Sequence, residues 1–103
     1  MNPVIVHLEC TRLNATAGPH VEAKMAEAWA SGATVAALDF SKVAYIDSMG
    51  LSVLISAHRK RPAGARIVVC SLNDYVREVL EITQLVRVFD VYADAEAVLS
   101  AAA

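Results

Sequence analysis

No stretch of this sequence approaches the roughly 20 consecutive apolar residues that a bilayer-spanning helix needs. Its opening, MNPVIVHLEC, meets Glu9 too soon for the apolar stretch of a signal peptide and carries no basic leader, so a cytoplasmic protein without membrane insertion is expected. Glycine is sparse: the four glycines stand singly, which excludes a glycine-rich loop wrapping a nucleotide phosphate. Cysteine is sparser. Cys10 and Cys70 each lie in an apolar, strand-like run with no second cysteine nearby, which predicts two buried free thiols rather than a disulfide or a metal site. Charge of either sign is also thin: the net charge is -2, and no aromatics interleave the basic run HRKRP, so neither nucleic acid nor an anionic membrane is an expected partner. That basic run is read as the cationic end of a helix. His7, His20 and His58 are dispersed, and neither cysteine has a base placed by spacing. Asp39, Asp47 and Asp74 fall near predicted strand ends, where α/β sites form, but acids at turns also cap helices, and they are read as caps. No catalytic residue, metal ligand or cofactor is assigned; the expectation is a protein that is not an enzyme.

What is present is a globular composition, 56% hydrophobic and 19% charged over 103 residues, which fits one domain spanning 1–103. VIVHLEC alternates Val4, Val6 and Leu8 in the period of a half-buried strand, and Leu13 with Asn14 is open between a short strand and a loop. PHVEAKMAEAWASG begins on a proline suited to a first helical turn and stops on Ser31-Gly32, with Val21, Met25, Ala28 and Trp29 on one face. ATVAALDF and ARIVVCSL are nearly continuous apolar runs, the mark of central strands covered on both sides. A second helix is predicted from about residue 49 to Arg61, stopped by Pro62 and Gly64. NDYVREVLEITQL is a third helix with Asn73 or Asp74 as its cap, VRVFDV a last strand, and ADAEAVLSAAA a closing helix. Strands alternating with helices over short connections predict an α/β fold with a largely parallel sheet covered by helices.

The corner between YID and the second helix carries more than a helix start requires. Asp47 and Ser48 are both strong caps, and either one suffices. Beyond them, Leu51, Leu54, Ile55 and His58 cluster on the side predicted to face the sheet, and Ser48, Ser52 and Ser56 run along its flank. Met49 and Val53 belong to a further stripe with Ala57 and Lys60 that the core does not need. Either a neighbouring helix covers them or another protein does. A phosphate on Ser48 would meet the positive end of the helix and leave the fold intact, while adding about -1.5 to -2 of charge beside Asp47.

The segment VAALDFSKVAYIDSMGLSVLISAHRK resembles the signature of STAS domains, in which an apolar strand ending in Asp, a second apolar segment and Asp-Ser-x-Gly-Leu lead into a helix. The likeness extends over nearly the whole chain, since ARIVVCSLNDYVREVLEITQLVRVFDVYADAEAVL is similar to the family's second half. It implies a STAS-like sheet of about four to five strands, with a largely parallel core covered by about four helices. It further implies an anti-sigma factor antagonist that works by partner switching. The serine after the aspartate, here Ser48, would be phosphorylated by a serine kinase that is itself an anti-sigma factor, and a serine phosphatase would reset it. Asp47, Met49, Gly50, Ser52, Val53 and Ser56 are the partner-binding residues expected on this reading. Met49 replaces a frequent serine or threonine, Ser52 a frequent glycine, and Asn14 the aspartate of the family's Gly-x-Leu-Asp turn. The alternative within the same family is a constitutive accessory subunit of a lipid-transporting ABC complex, in which the same helix is the interface and Ser48 only a cap.

Overall fold

A computed structural model describes residues 2–102. In chain order the strands are β1 (Pro3–His7), β2 (Arg12–Leu13), β3 (Val35–Asp39), β4 (Tyr45–Ile46), β5 (Arg66–Cys70) and β6 (Asp90–Tyr92). The helices are α1 (Gly18–Ala30), α2 (Ser48–Lys60), α3 (Asp74–Ile82) and α4 (Ala95–Ala102), with 3-10 turns at Ala15–Ala17 and Leu85–Arg87. β1, β3, β5 and β6 form one parallel sheet in that order, in a register that aligns Val6, Leu38 and Val69. β2 and β4 make a separate parallel pair. The α/β architecture expected from the alternating pattern is present, with four strands in the main sheet and four helices around it.

The apolar runs of the central strands explain how the layers form. In β3 all five residues are buried, because Ala36 and Leu38 point to one face and Val35 and Ala37 to the other. The first face packs with Val6, Ile67 and Val69 against Val21, Met25 and Ala28 of α1, Leu54 of α2, and Val76 and Leu80 of α3. Each crossover between parallel strands advances in the same direction across the sheet, and right-handed crossovers then carry α1, α2 and α3 to the same side. The second face, with Val35, Ala37, Val68 and Cys70, is sealed by Val98 of α4. Among the described residues no helix is long and apolar enough to cross a membrane.

α1 ends where Ser31-Gly32 predicts, since Gly32 takes φ 88, a left-handed backbone open to glycine, and its N–H returns to the Trp29 carbonyl at 3.0 Å. Three expectations are corrected. VRVFDV is not one strand: only Asp90–Tyr92 pairs, and Leu85–Arg87 is a 3-10 turn. Gln84 turns left-handed at φ 66, and Leu85 and Phe89 are then buried at helical i, i+4 spacing while Val88 faces out. Ile55 does not face the sheet and is 37% exposed; Leu54 is the fully buried anchor of α2. Cys10 is only partly buried, because it lies past the end of β1, whereas Cys70 is fully buried as expected.

Candidate functional site

The corner is built from the short strand pair. β4 lies beside β2, and the Asp47 N–H donates to the Leu13 carbonyl at 3.3 Å, so the chain enters α2 pressed against Leu13. A Cβ on Gly50 would sit 2.0 Å from the Leu13 oxygen and 2.7 Å from its carbonyl carbon, so only glycine allows the first turn of α2 to dock there. Gly50 is buried, which corrects its place among the expected contact residues: it shapes the surface and offers no side chain to a partner.

Asp47 and Ser48 divide their duties. Asp47 is extended (φ -111, ψ -176), and its Oδ1 accepts from the Gly50 N–H at 2.8 Å. Asp47 is therefore the cap. Ser48 is the first helical residue, exposed, and among the described residues its hydroxyl has no hydrogen-bond partner. Its carbonyl accepts from the Ser52 hydroxyl at 3.2 Å. The last turn of the helix ends on His58, Arg59 and Lys60, and Arg61 folds back to donate to the His58 carbonyl at 2.7 Å, so the basic run completes the helix as expected.

Beside the corner runs an apolar groove of about 450 Å³ between α1 and α2. Val21 and Met25 form its buried floor, Trp29 and Pro19 its α1 wall, and Met49, Ser52, Val53, Ser56 and Ala57 its α2 wall. Glu22 and Lys60 bridge it at 3.2 Å. Small side chains open it, since Ala26, Ser52, Ser56 and Ala57 fill little space between the helices. Of the alternatives for Met49 and Val53, a neighbouring helix accounts for Val53 and leaves Met49 uncovered. Val53 packs partly against the core beneath α1, its Cγ2 lying 3.4 Å from where a Gly18 Cβ would be, while Met49 is 53% exposed at the groove's lip. Met49, Ser52, Val53 and Ser56 thus line one concave surface, with Asp47 and Ser48 at the corner beside it.

Sequence reasoning missed the α1 side of this groove. Trp29 falls on the core-facing stripe by periodicity and is only half-buried. It also missed a cluster on the strand side of the corner. Tyr45 and Tyr75 meet edge to face with ring centroids 5.9 Å apart, and the Arg12 guanidinium lies 5.3 Å from the Tyr45 ring centre. The available signal was Tyr45 itself, a large aromatic at the outward position of AYID. α3 is tied to this region by Asn73, whose Oδ1 caps Val76 N–H at 2.7 Å while its Nδ2 donates to the Ala44 carbonyl at 3.1 Å.

The titratable groups elsewhere serve the fold. Burial would raise Asp39, but the N–H of Ser41 and the ring of His7, each bonded to its carboxylate, hold it below the usual carboxylate range. Burial, with Asp39 and Asp94 nearby, pushes the Cys70 thiol up to about 11, which makes it unreactive. Burial and then the Arg61 charge lower His58, which packs edge-on to Phe89 at 5.6 Å. Among the described residues no group of three or more His, Cys, Asp and Glu could hold a metal ion.

The family model of the STAS domain matches residues 2–98. BtrV of Bordetella bronchiseptica, a candidate anti-sigma factor antagonist, is 33% identical over 90 residues, which cover 86% of this chain and 78% of BtrV. The crystal structure of an anti-sigma factor antagonist from Mycobacterium paratuberculosis superposes with a TM-score of 0.81 at 20% identity, over 97% of this chain and 85% of that one. The phosphorylated form of the Bacillus cell fate determinant SpoIIAA gives a TM-score of 0.66 at 22% identity, over 97% and 91% of the two chains.

Proposed function

The chain belongs to the STAS domain family, and from that premise we propose that it is an anti-sigma factor antagonist that works by partner switching. Unphosphorylated, it binds a serine kinase that is itself an anti-sigma factor; phosphorylation of Ser48 by that kinase releases it, and a serine phosphatase restores it. The observation that carries this reading is the division of labour at the corner. Asp47 satisfies the helix N-terminus, so the Ser48 hydroxyl is exposed and uncommitted.

The chemistry follows from that placement. A phosphate on the first helical residue lies against the positive end of the helix, so the folded state tolerates it. Its charge of about -1.5 to -2 stands beside the exposed carboxylate of Asp47 and the apolar lip at Met49. A partner that buries this lip would have to desolvate the phosphate, which disfavours binding without any change of fold. Ser52 is engaged with the Ser48 carbonyl, which makes its hydroxyl the poorer acceptor of a phosphoryl group. The protein is a substrate and binding partner in this scheme and catalyses nothing itself.

The test is a pull-down from native-host lysate with folded wild type, Ser48→Asp and Ser48→Ala. Wild type and Ser48→Ala are expected to retain an ATP-binding serine kinase, and Ser48→Asp to lose it. Phosphopeptide mapping after incubation with that kinase and ATP should place the phosphate on Ser48 and find none on Ser48→Ala. Phosphate on Ser52 or Ser56 alone would refute the assignment. Retention of one transporter ATPase by all three forms would make the chain an accessory subunit of a lipid-transporting ABC complex, with Ser48 as part of a constitutive interface.

A further inference from the structure

We infer that Arg12, Tyr45 and Tyr75 form a second anchor of the partner contact, a cationic aromatic shelf that receives an acidic side chain of the anti-sigma factor and selects which one binds. The inference rests on the partner-switching reading and extends it to the opposite flank of the corner.

Both tyrosines are about half exposed, at 53% and 49%, and in the free protein their rings already meet edge to face with the Arg12 guanidinium over the Tyr45 ring. Four of the other basic side chains meet carboxylates, Lys24 and Lys42 at Glu9, Lys60 at Glu22 and Arg66 at Asp90, whereas Arg59, Arg61, Arg77 and Arg87 meet none among the described residues. Arg12 makes no such ion pair among the described residues; its partner is the Tyr45 ring. A guanidinium on an aromatic face keeps its edge N–H groups free, and their planar fork matches a carboxylate. The shelf therefore has a defined complement, an Asp or Glu carboxylate with an apolar neighbour to cover the rings.

Position ties the shelf to the corner. β4 and Asp47 are extended, so Tyr45 and Asp47 project to the same side, while Ile46 between them is buried. Arg12 is the register partner of Tyr45 across the strand pair. Tyr75 arrives from α3, and its hydroxyl donates to the Ile46 carbonyl at 3.5 Å, while Asn73 holds the start of that helix to the Ala44 carbonyl. The three side chains are thus held in place before binding, and such preorganised Tyr and Arg groups are the kind that dominate binding energy at protein interfaces. The groove contributes apolar complementarity on one side of Ser48, and the shelf contributes charge and orientation on the other. A phosphate on Ser48 then acts on the shelf as well, because it repels the acidic side chain that Arg12 attracts.

The experiment uses the serine kinase isolated from the wild-type pull-down, purified and titrated against the full chain by calorimetry. Arg12→Glu is expected to weaken binding by about 30-fold or more, and Tyr45→Ala by about 10-fold. Tyr45→Phe should bind as wild type, because the ring face does the work, and Arg12→Lys should fall between wild type and Arg12→Glu, because it keeps the charge and loses the planar fork. An acidic-to-Arg substitution on the kinase that restores binding of Arg12→Glu would identify the opposing carboxylate. Unchanged melting temperatures keep these effects distinct from unfolding. If Arg12→Glu and Tyr45→Ala bind as wild type while Ser48→Asp still abolishes binding, the shelf is refuted and partner switching stands. If wild type binds no such kinase, both fall. If sedimentation shows a dimer of wild type that Tyr75→Ala dissolves, the shelf is a self-association surface and the inference is overturned.

Discussion

Gly50 and Asp47 show how single residues decide what the corner can present. A methyl group at residue 50 would press on the Leu13 carbonyl, which is backbone and cannot swing away, and on the buried Ile46 side chain, so Gly50→Ala must lift α2 off the strand pair. Overpacking against backbone of this kind costs about 1–3 kcal/mol, and a thermal melt of Gly50→Ala should show a clear drop with the far-ultraviolet spectrum retained. The sequence marks the importance of Gly50 but not its reason, because the close approach is to a carbonyl on a strand far away in the chain. The same holds for Asp47 and Ser48. Both are good caps on paper, and the choice is made by the extended backbone at Asp47, which places its carboxylate over the Gly50 N–H. Local chemistry narrows the role to two residues, and tertiary placement picks one.

At the scale of elements, α2 depends on that cap for its register against the sheet. Asp47→Ala is expected to cost about 1 kcal/mol and Asp47→Asn much less, since the amide oxygen still accepts from the first turn; urea unfolding of the two variants separates them. The helices were legible because their signals are local: Pro19 and Gly32 bracket α1, and Pro62 and Gly64 follow α2. β3 and β5 were legible as unbroken apolar runs. The last strand was not, because Leu85, Val86, Val88 and Phe89 are as apolar as strand residues yet pack as a helical turn once Gln84 reverses the chain. The groove was half legible. Periodicity finds the α2 stripe of Met49 and Val53, but the spacing of α1 from α2 is a property of their packing and has no signature in either helix alone.

For the molecule as a whole, two groups on opposite faces set its response to acid. His58, lowered below its usual 6.5 by burial and Arg61, stays neutral in the folded protein while the unfolded chain takes up a proton. Stability is therefore full above about 6.5 and falls as the pH drops from there through the folded value. Asp39, held below 3.8 by Ser41 and His7 against the effect of burial, adds a second fall, complete only once the pH drops through its folded value. Urea midpoints measured from pH 8 to pH 3 should show both windows, and His58→Gln should remove the upper one alone. The topology that gathers α1, α2 and α3 on one side has a further consequence for biosynthesis. Among the described residues the other side is covered by the eight residues of α4, which are made after every strand of the sheet. Until α4 docks, Val35, Ala37, Val68 and Cys70 stay bare on that side of the sheet, a sticky face that exposes the folding chain to association with its neighbours.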